Sequence, residues 1–271
     1  MKNNDNKKEY VKLIDTTKCT ACRGCQVACK QWNELPGRAT KNTGTKENPP
    51  NLNAYAYTRV RFAEAHRTGA VEYSFAKQQC MHCLHPACVQ ACIVGALEKH
   101  TDGPVTYDDR KCIGCRYCQA ACPFGVPSFE WDDATPWIKK CTFCADRQGA
   151  GLKPACVTTC PTGALTYGER ESLLTQARTR LAASPGLYVD HVYGEKEVGG
   201  TSWLYISDVP FADLGFSQLG EEPVTVNAER AMGLVPPVLV GVAVLMTGFY
   251  WVTKRREKMQ QAEEKVHGGT H

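Results

Sequence analysis

Apolar and polar positions alternate over Tyr10–Ile14 and again over Gly103–Tyr107, which predicts two short strands, each leading straight into a group of cysteines. The repeated arrangement predicts a unit of strand, cysteine turn and short helix ending on a further cysteine. Residues 36–53 (PGRATKNTGTKENPPNLN) are too polar and too rich in Gly, Pro and Asn for a core, and are expected as a surface excursion. Tyr55–Phe62 and Ala70–Phe75, on either side of a turn at Arg67-Thr68-Gly69, predict a hairpin. Glu169–Ala182 has helical composition and is stopped by Ser184-Pro185-Gly186. Leu187–Tyr193 and Ser202–Ser207 are expected as strands joined through Val198-Gly199-Gly200.

The pattern then changes. Ala231–Thr253 is 23 consecutive residues without a charge, and about 20 apolar residues span a bilayer core. Pro236 and Pro237 are expected in its first turns, and Tyr250 and Trp251 stand where an interfacial aromatic belt belongs. A soluble core helix is seldom apolar on every side for this long. Lys254, Arg255, Arg256 and Lys258 follow the span, while Arg230 is the one basic residue in the fifteen before it. The positive-inside rule therefore puts residues 254–271 in the cytoplasm and the cysteine-rich part on the periplasmic or extracytoplasmic side. Residues 1–9 contain no apolar signal region, so export is expected to depend on a partner.

All sixteen cysteines fall in four runs of four. Cys19, Cys22, Cys25 and Cys29, like Cys112, Cys115, Cys118 and Cys122, have the spacing Cys-x2-Cys-x2-Cys-x3-Cys. Cys80, Cys83, Cys88 and Cys92 widen the middle gap to four residues, and Cys141, Cys144, Cys156 and Cys160 widen it to eleven. This is the bacterial ferredoxin spacing, in which three thiolates wrap one iron-sulfur cube and the fourth ligates the neighbouring one. Four runs meet the needs of four 4Fe-4S clusters with none left over. Disulfides fit less well, since cysteines two residues apart bridge only with strain. A zinc-stabilised membrane scaffold without redox function is the remaining alternative, but a tetrahedral ion has no use for the third cysteine of the first and third runs. His82 and His85 lie inside the second run, whose four cysteines are already present, so neither is expected as a ligand.

A chain of 271 residues, 43% apolar, has room for two small cluster-bearing domains. Its formal charge of +4 counts the cysteines as neutral. Four oxidised clusters with their thiolates bring about −2 apiece, leaving the loaded protein at about −4, so nucleic acid is not an expected partner. No nucleophile elbow, P-loop or dinucleotide fingerprint is present. Catalysis by this chain itself is not expected.

The segments LIDTTKCTACRGCQVACKQWN, CMHCLHPACVQAC, CIGCRYCQAACPFGVP, KCTFCADR, PACVTTCPTGAL and VYGEKEVGGTSWLY, followed by the apolar span, resemble the iron-sulfur (beta) subunits of membrane-bound formate dehydrogenases. These belong to the wider group of four-cluster ferredoxin-type subunits serving molybdopterin oxidoreductases. The departure from the strict pattern is Lys30 and Ile93, where proline follows the other two runs. Spacing alone leaves the pairing of runs open; the resemblance implies nesting, first with fourth and second with third. The implied ligand sets are Cys19, Cys22, Cys25 and Cys160; Cys141, Cys144, Cys156 and Cys29; Cys80, Cys83, Cys88 and Cys122; and Cys112, Cys115, Cys118 and Cys92.

The expected fold is α+β: two ferredoxin-like dicluster domains with short strands and cysteine turns, plus one C-terminal transmembrane helix. Residues 1–79 with 123–208 form the first domain and 80–122 the second, followed by a linker (209–230), the span (231–253) and the tail (254–271). The implied function is electron relay from a molybdenum or tungsten pterin catalytic subunit that oxidises formate to a membrane cytochrome b subunit and quinone. Electrons enter at the Cys19 set and leave from the Cys112 set, in a heterotrimer able to oligomerise further. A hydrogenase or a sulfur-compound reductase is the alternative complex.

Overall fold

The first strand, β1 (Tyr10–Asp15), occupies the centre of a three-stranded sheet. A computed structural model describes residues 8–41, 44–67, 70–132 and 136–267. The chain divides into two units, Met1–Val224 and Thr225–His271. In the first unit, β1 leads through a 3-10 turn into α1 (Gly24–Trp32), then the hairpin β2 (Thr58–Arg67) and β3 (Ala70–Gln79). There follow α2 (Ala87–Gln90), β4 (Leu97–Lys99), β5 (Val105–Tyr107), α3 (Tyr117–Ala120), β6 (Ser128–Phe129) and β7 (Ile138–Lys139). The remainder holds α4 (Ala145–Gly149), α5 (Ala155–Thr158), β8 (Leu165–Glu169), α6 (Arg170–Ala183) and β9 (Trp203–Ile206).

β1 pairs antiparallel with β8 and parallel with β9. Its period-2 pattern splits it between two packed faces. Val11 and Leu13 meet Leu204 and Ile206 of β9 and Leu173, Leu174 and Ala177 of α6. Ile14 lies on the opposite face, in a second core with Trp203, Tyr205, Met81, Phe143 and Cys156. The sheet is thus a partition with a helix on one side and cysteine-bearing loops on the other. Asp15, fully buried, anchors the end of the strand to the helix side: it accepts hydrogen bonds from Arg180 of α6 at 3.0 Å, Tyr188 at 3.2 Å and Thr17 at 2.6 Å.

The hairpin is longer than its alternation predicts. β2 and β3 hold register from Thr58↔Gln79 to Arg67↔Ala70, so β3 runs directly into Cys80. The expected turn residues Thr68 and Gly69 lie outside the described residues. Leu187–Tyr193 is not a strand. It touches β9 through Val189 N–H to Ser207 C=O (2.8 Å) and a bridge between Tyr193 and Tyr205, while His191 N–H turns back to Val189 C=O at 2.7 Å. That tight turn takes the chain out of the ladder and lets His191 reach the Glu197 carboxylate.

The second unit is one helix, α7 (Val226–His267), of 42 residues. It extends past both ends of the uncharged run, because the flanking Ala, Glu, Lys, Arg and Gln residues are themselves good helix formers. Pro236 and Pro237 therefore sit inside the helix rather than in its first turns. The Thr247 and Thr253 hydroxyls donate to the carbonyls of Ala243 and Phe249, at 2.7 and 2.8 Å. Val226–Ala262 is long and apolar enough to cross a membrane, with a mean hydropathy of 2.0 over an 18-residue stretch within it. This helix supplies a single-pass membrane anchor.

Candidate iron-sulfur sites

Each run is built on the same local device. Between the first and second cysteine of every run one residue adopts positive φ: Ala21 (54°), His82 (48°), Gly114 (70°) and Phe143 (60°). A left-handed residue in a turn folds consecutive N–H groups into a concavity that favours negative charge. The N–H of each faces the sulfur two residues back. Gly114 donates to Cys112 Sγ and Phe143 to Cys141 Sγ, both at 3.4 Å. Ala21 and His82 do the same for Cys19 and Cys80. A second left-handed residue, Arg23 in the first run and Arg116 in the third, starts the helix that carries the later cysteines.

Packing of the short helices brings distant runs together: α1 lies against α5, and α2 against α3. Cys160 stands beside Cys19 and Cys22, and these with Cys25 line one small cavity closed by Ile14, Val60 and Leu165. Cys29 stands with Cys141, Cys144 and Cys156. Cys83 is beside Cys80, Cys88 and Cys122, and Cys118 beside Cys112, Cys115 and Cys92. All sixteen sequence-predicted cysteines lie beside cysteines of another run or of their own, and the neighbourhoods overlap: Cys25 is also close to Cys156 and Cys80 to Cys141. Cys22 and Cys115 are exposed, while the fourth run keeps Cys141, Cys144 and Cys156 buried.

Burial pushes the thiols of Cys25, Cys80, Cys118 and Cys144 up to about 11 and that of Cys88 to about 12, and Cys29 higher still. Neighbouring thiols add to the rise. Such sulfurs become thiolates at neutral pH only when a cationic centre takes the place of the proton. Among the described residues no three Cys, His, Asp or Glu side chains are placed to hold a single metal ion. Groups of four thiols around N–H-lined turns fit an iron-sulfur cube, which when bound exchanges single electrons.

His82 is fully buried, its Nδ1 accepting from Val105 N–H at 2.9 Å and its ring 4.6 Å from that of Phe143. Burial first, then the charges of Lys140, Lys12 and Lys99, hold it well below its ordinary range, so it is neutral. The Val198-Gly199-Gly200 segment is a strap over the second run. Leu84 N–H donates to Gly200 C=O at 2.9 Å, Cys83 bridges to Thr201, and Ser202 N–H donates to Met81 C=O at 3.2 Å. The left-handed residues Ala21, His82 and Phe143 and the buried Lys12 and Lys77 were not expected from the sequence. Gly114 is the one member of the left-handed set whose residue type announces it.

Residues 71–170, which contain the second, third and fourth runs, match the 4Fe-4S dicluster domain. Fold and site together define a 4Fe-4S electron-transfer protein, whose sixteen cysteines fit four clusters. The chain is 40% identical to the nitrate-inducible formate dehydrogenase iron-sulfur subunit of Escherichia coli K12, over 74% of this chain and 69% of that one. It is 36% identical to the formate dehydrogenase-O iron-sulfur subunit of the same organism, over 97% and 89%. It belongs to the family of formate dehydrogenase iron-sulfur subunits, which transfer electrons and are not the catalytic subunits. It is also 33% identical to the hydrogenase-2 operon protein HybA of Escherichia coli O157:H7, over 86% and 83%.

Proposed function

We propose that this subunit conducts electrons from formate oxidised at a molybdenum or tungsten pterin subunit to a membrane cytochrome b and quinone. The ligand sets of the four clusters are Cys19, Cys22, Cys25 and Cys160; Cys141, Cys144, Cys156 and Cys29; Cys80, Cys83, Cys88 and Cys122; and Cys112, Cys115, Cys118 and Cys92. The observation that carries this reading is the grouping of thiols from distant runs, Cys160 with the first run and Cys29 with the fourth. Residues 1–79 with 123–208 then form one ferredoxin-like domain and 80–122 the other. Exposed Cys22 and Cys115 are consistent with electron entry at the first run and exit at the third. The basic residues Lys254, Arg255, Arg256 and Lys258 support a cytoplasmic C-terminus with the clusters on the other side, in a heterotrimer.

Iron and sulfide analysis of the purified complex tests the cofactor content, with about four irons per cysteine run expected; stoichiometric zinc would overturn it. Cys115→Ser tests the order. It is expected to retain formate-dependent reduction of a dye that accepts upstream, while formate-dependent quinone reduction falls at least tenfold. Equal loss of both activities with normal iron content would reverse the order. Similarity to HybA over 86% of the chain favours a second reading, a relay for a hydrogenase. Whether the catalytic subunit that co-purifies oxidises formate or dihydrogen decides between them.

A further inference from the structure

Lys12, Lys77 and Lys140 are buried, and among the described residues none has a carboxylate within ion-pair distance. A buried ammonium without a counter-ion is costly unless some other negative charge offsets it. Lys77, on β3, is the best defined of the three. Its Nζ donates to Gln79 Oε1 at 2.8 Å and stands 4.4 Å from the Trp203 ring. Gln79 Nε2 donates to the Tyr205 hydroxyl at 2.6 Å, and that hydroxyl donates to the Lys77 carbonyl at 3.0 Å. The ring of contacts fixes the ammonium on the cysteine-facing side of the sheet.

Two further observations say what that charge faces. Lys77 lines the small cavity enclosed by Cys19, Cys22, Cys25 and Cys160. Its charge also acts on Cys156, Cys141 and Cys29, which belong to the neighbouring thiol group. Lys140 faces Cys80 and Cys88 instead.

We propose that the Lys77 ammonium is the counter-charge shared by two adjacent clusters, those of the Cys19 and Cys141 sets, and that it positions their reduction potentials together. The proposal rests on the ligand sets given above. A fixed positive charge favours the reduced, more negative form of any cluster near it. One ammonium between two clusters raises both potentials together, so it makes both easier to reduce while leaving the difference that drives the electron step between them nearly unchanged.

Lys77→Met removes the charge and keeps most of the side-chain volume. Potentiometric titration followed by electron paramagnetic resonance, with the Cys19-set signal assigned through Cys22→Ser, reads the result. At fixed ambient potential the reduced-to-oxidised ratio of both clusters should fall about tenfold, equal to about 59 mV for a one-electron couple. The clusters of the Cys80 and Cys112 sets should change by less than about twofold, and Lys77→Arg should restore the first two. Gln79→Glu sets a carboxylate against the intact ammonium and should lower the same two potentials, which keeps the test decisive if Lys77→Met fails to assemble. Full iron content with unchanged potentials, an equal shift of all four clusters, or loss of iron in both variants would each overturn the proposal. Failure of the ligand sets would look different: iron in the unsubstituted protein would not amount to four clusters, or the Lys77 shift would fall on signals tied by cysteine variants to other sets.

Discussion

At the residue scale, the four cysteine turns solve one problem with four different side chains. An L-residue in the left-handed region costs roughly 1–2 kcal/mol, and glycine escapes that cost. Gly114 sits at that position in the third run with φ of 70°, whereas Ala21, His82 and Phe143 carry the strain. The left-handed residue itself presents its N–H to sulfur, so the strain is tolerated where burial holds the side chain, as it does for Phe143 and His82. Ala21 has no such anchor. Gly114→Val should destabilise the protein by roughly 1–2 kcal/mol and reduce iron in the third run's cluster, while Ala21→Gly should be neutral or stabilising by about 1 kcal/mol. Thermal melts of the two variants with iron analysis check the pair; a Gly114→Val protein with wild-type melting and iron would show that the left-handed turn is dispensable.

At the scale of elements, the strap over the second run is the clearest case of backbone placing a site. Gly199 has φ of 81°, and a Cβ there would meet Pro223 Cγ at 2.6 Å and His85 Cδ2 at 2.9 Å. Both the conformation and the space require glycine. Gly199→Ala should therefore lift the strap from the Cys83 loop at a cost of about 2 kcal/mol or more, with iron lost first from the Cys80 set and the Cys19 set retained. Electron paramagnetic resonance of the variant distinguishes selective loss from general unfolding, and an unaltered spectrum would remove the strap from the account. The sequence made the cysteine runs, β1, β5 and the apolar span legible through spacing, alternation or uncharged length, and α6 through its helical composition and the Ser184-Pro185-Gly186 stop. It did not reveal that Leu187–Tyr193 leaves the ladder, because a single N–H to C=O turn at His191 decides it and carries no apolar signature. The end of β3 was obscured for a related reason: Lys77 and Gln79 interrupt the alternation, although both are buried by tertiary contacts that local pattern cannot express. The packing of α1 on α5 likewise depends on contacts more than a hundred residues apart in sequence.

At the scale of the whole molecule, the membrane anchor and the cluster-bearing unit are separate bodies in one chain. The 42-residue helix holds its threonine hydroxyls against its own carbonyls, as a segment surrounded by lipid requires. Ending the chain after Val224 should move the protein from the membrane to the soluble fraction with its iron content unchanged. Fractionation and iron analysis test this; loss of iron along with the anchor would mean that the first unit does not stand alone.

The central place of β1 has a consequence for biosynthesis. About 190 residues separate Lys12 from its partner Trp203 on β9, so the strand made almost first must wait for one made near the end. At roughly 5–20 residues per second, the ribosome leaves β1 without that neighbour for roughly 10–40 s. During that interval Val11, Leu13 and the first four cysteines have no finished sheet to cover them. A nascent chain in that condition leaves the apolar face of β1 uncovered, and the proposed Cys19 set cannot be closed by iron and sulfide until Cys160 has been made.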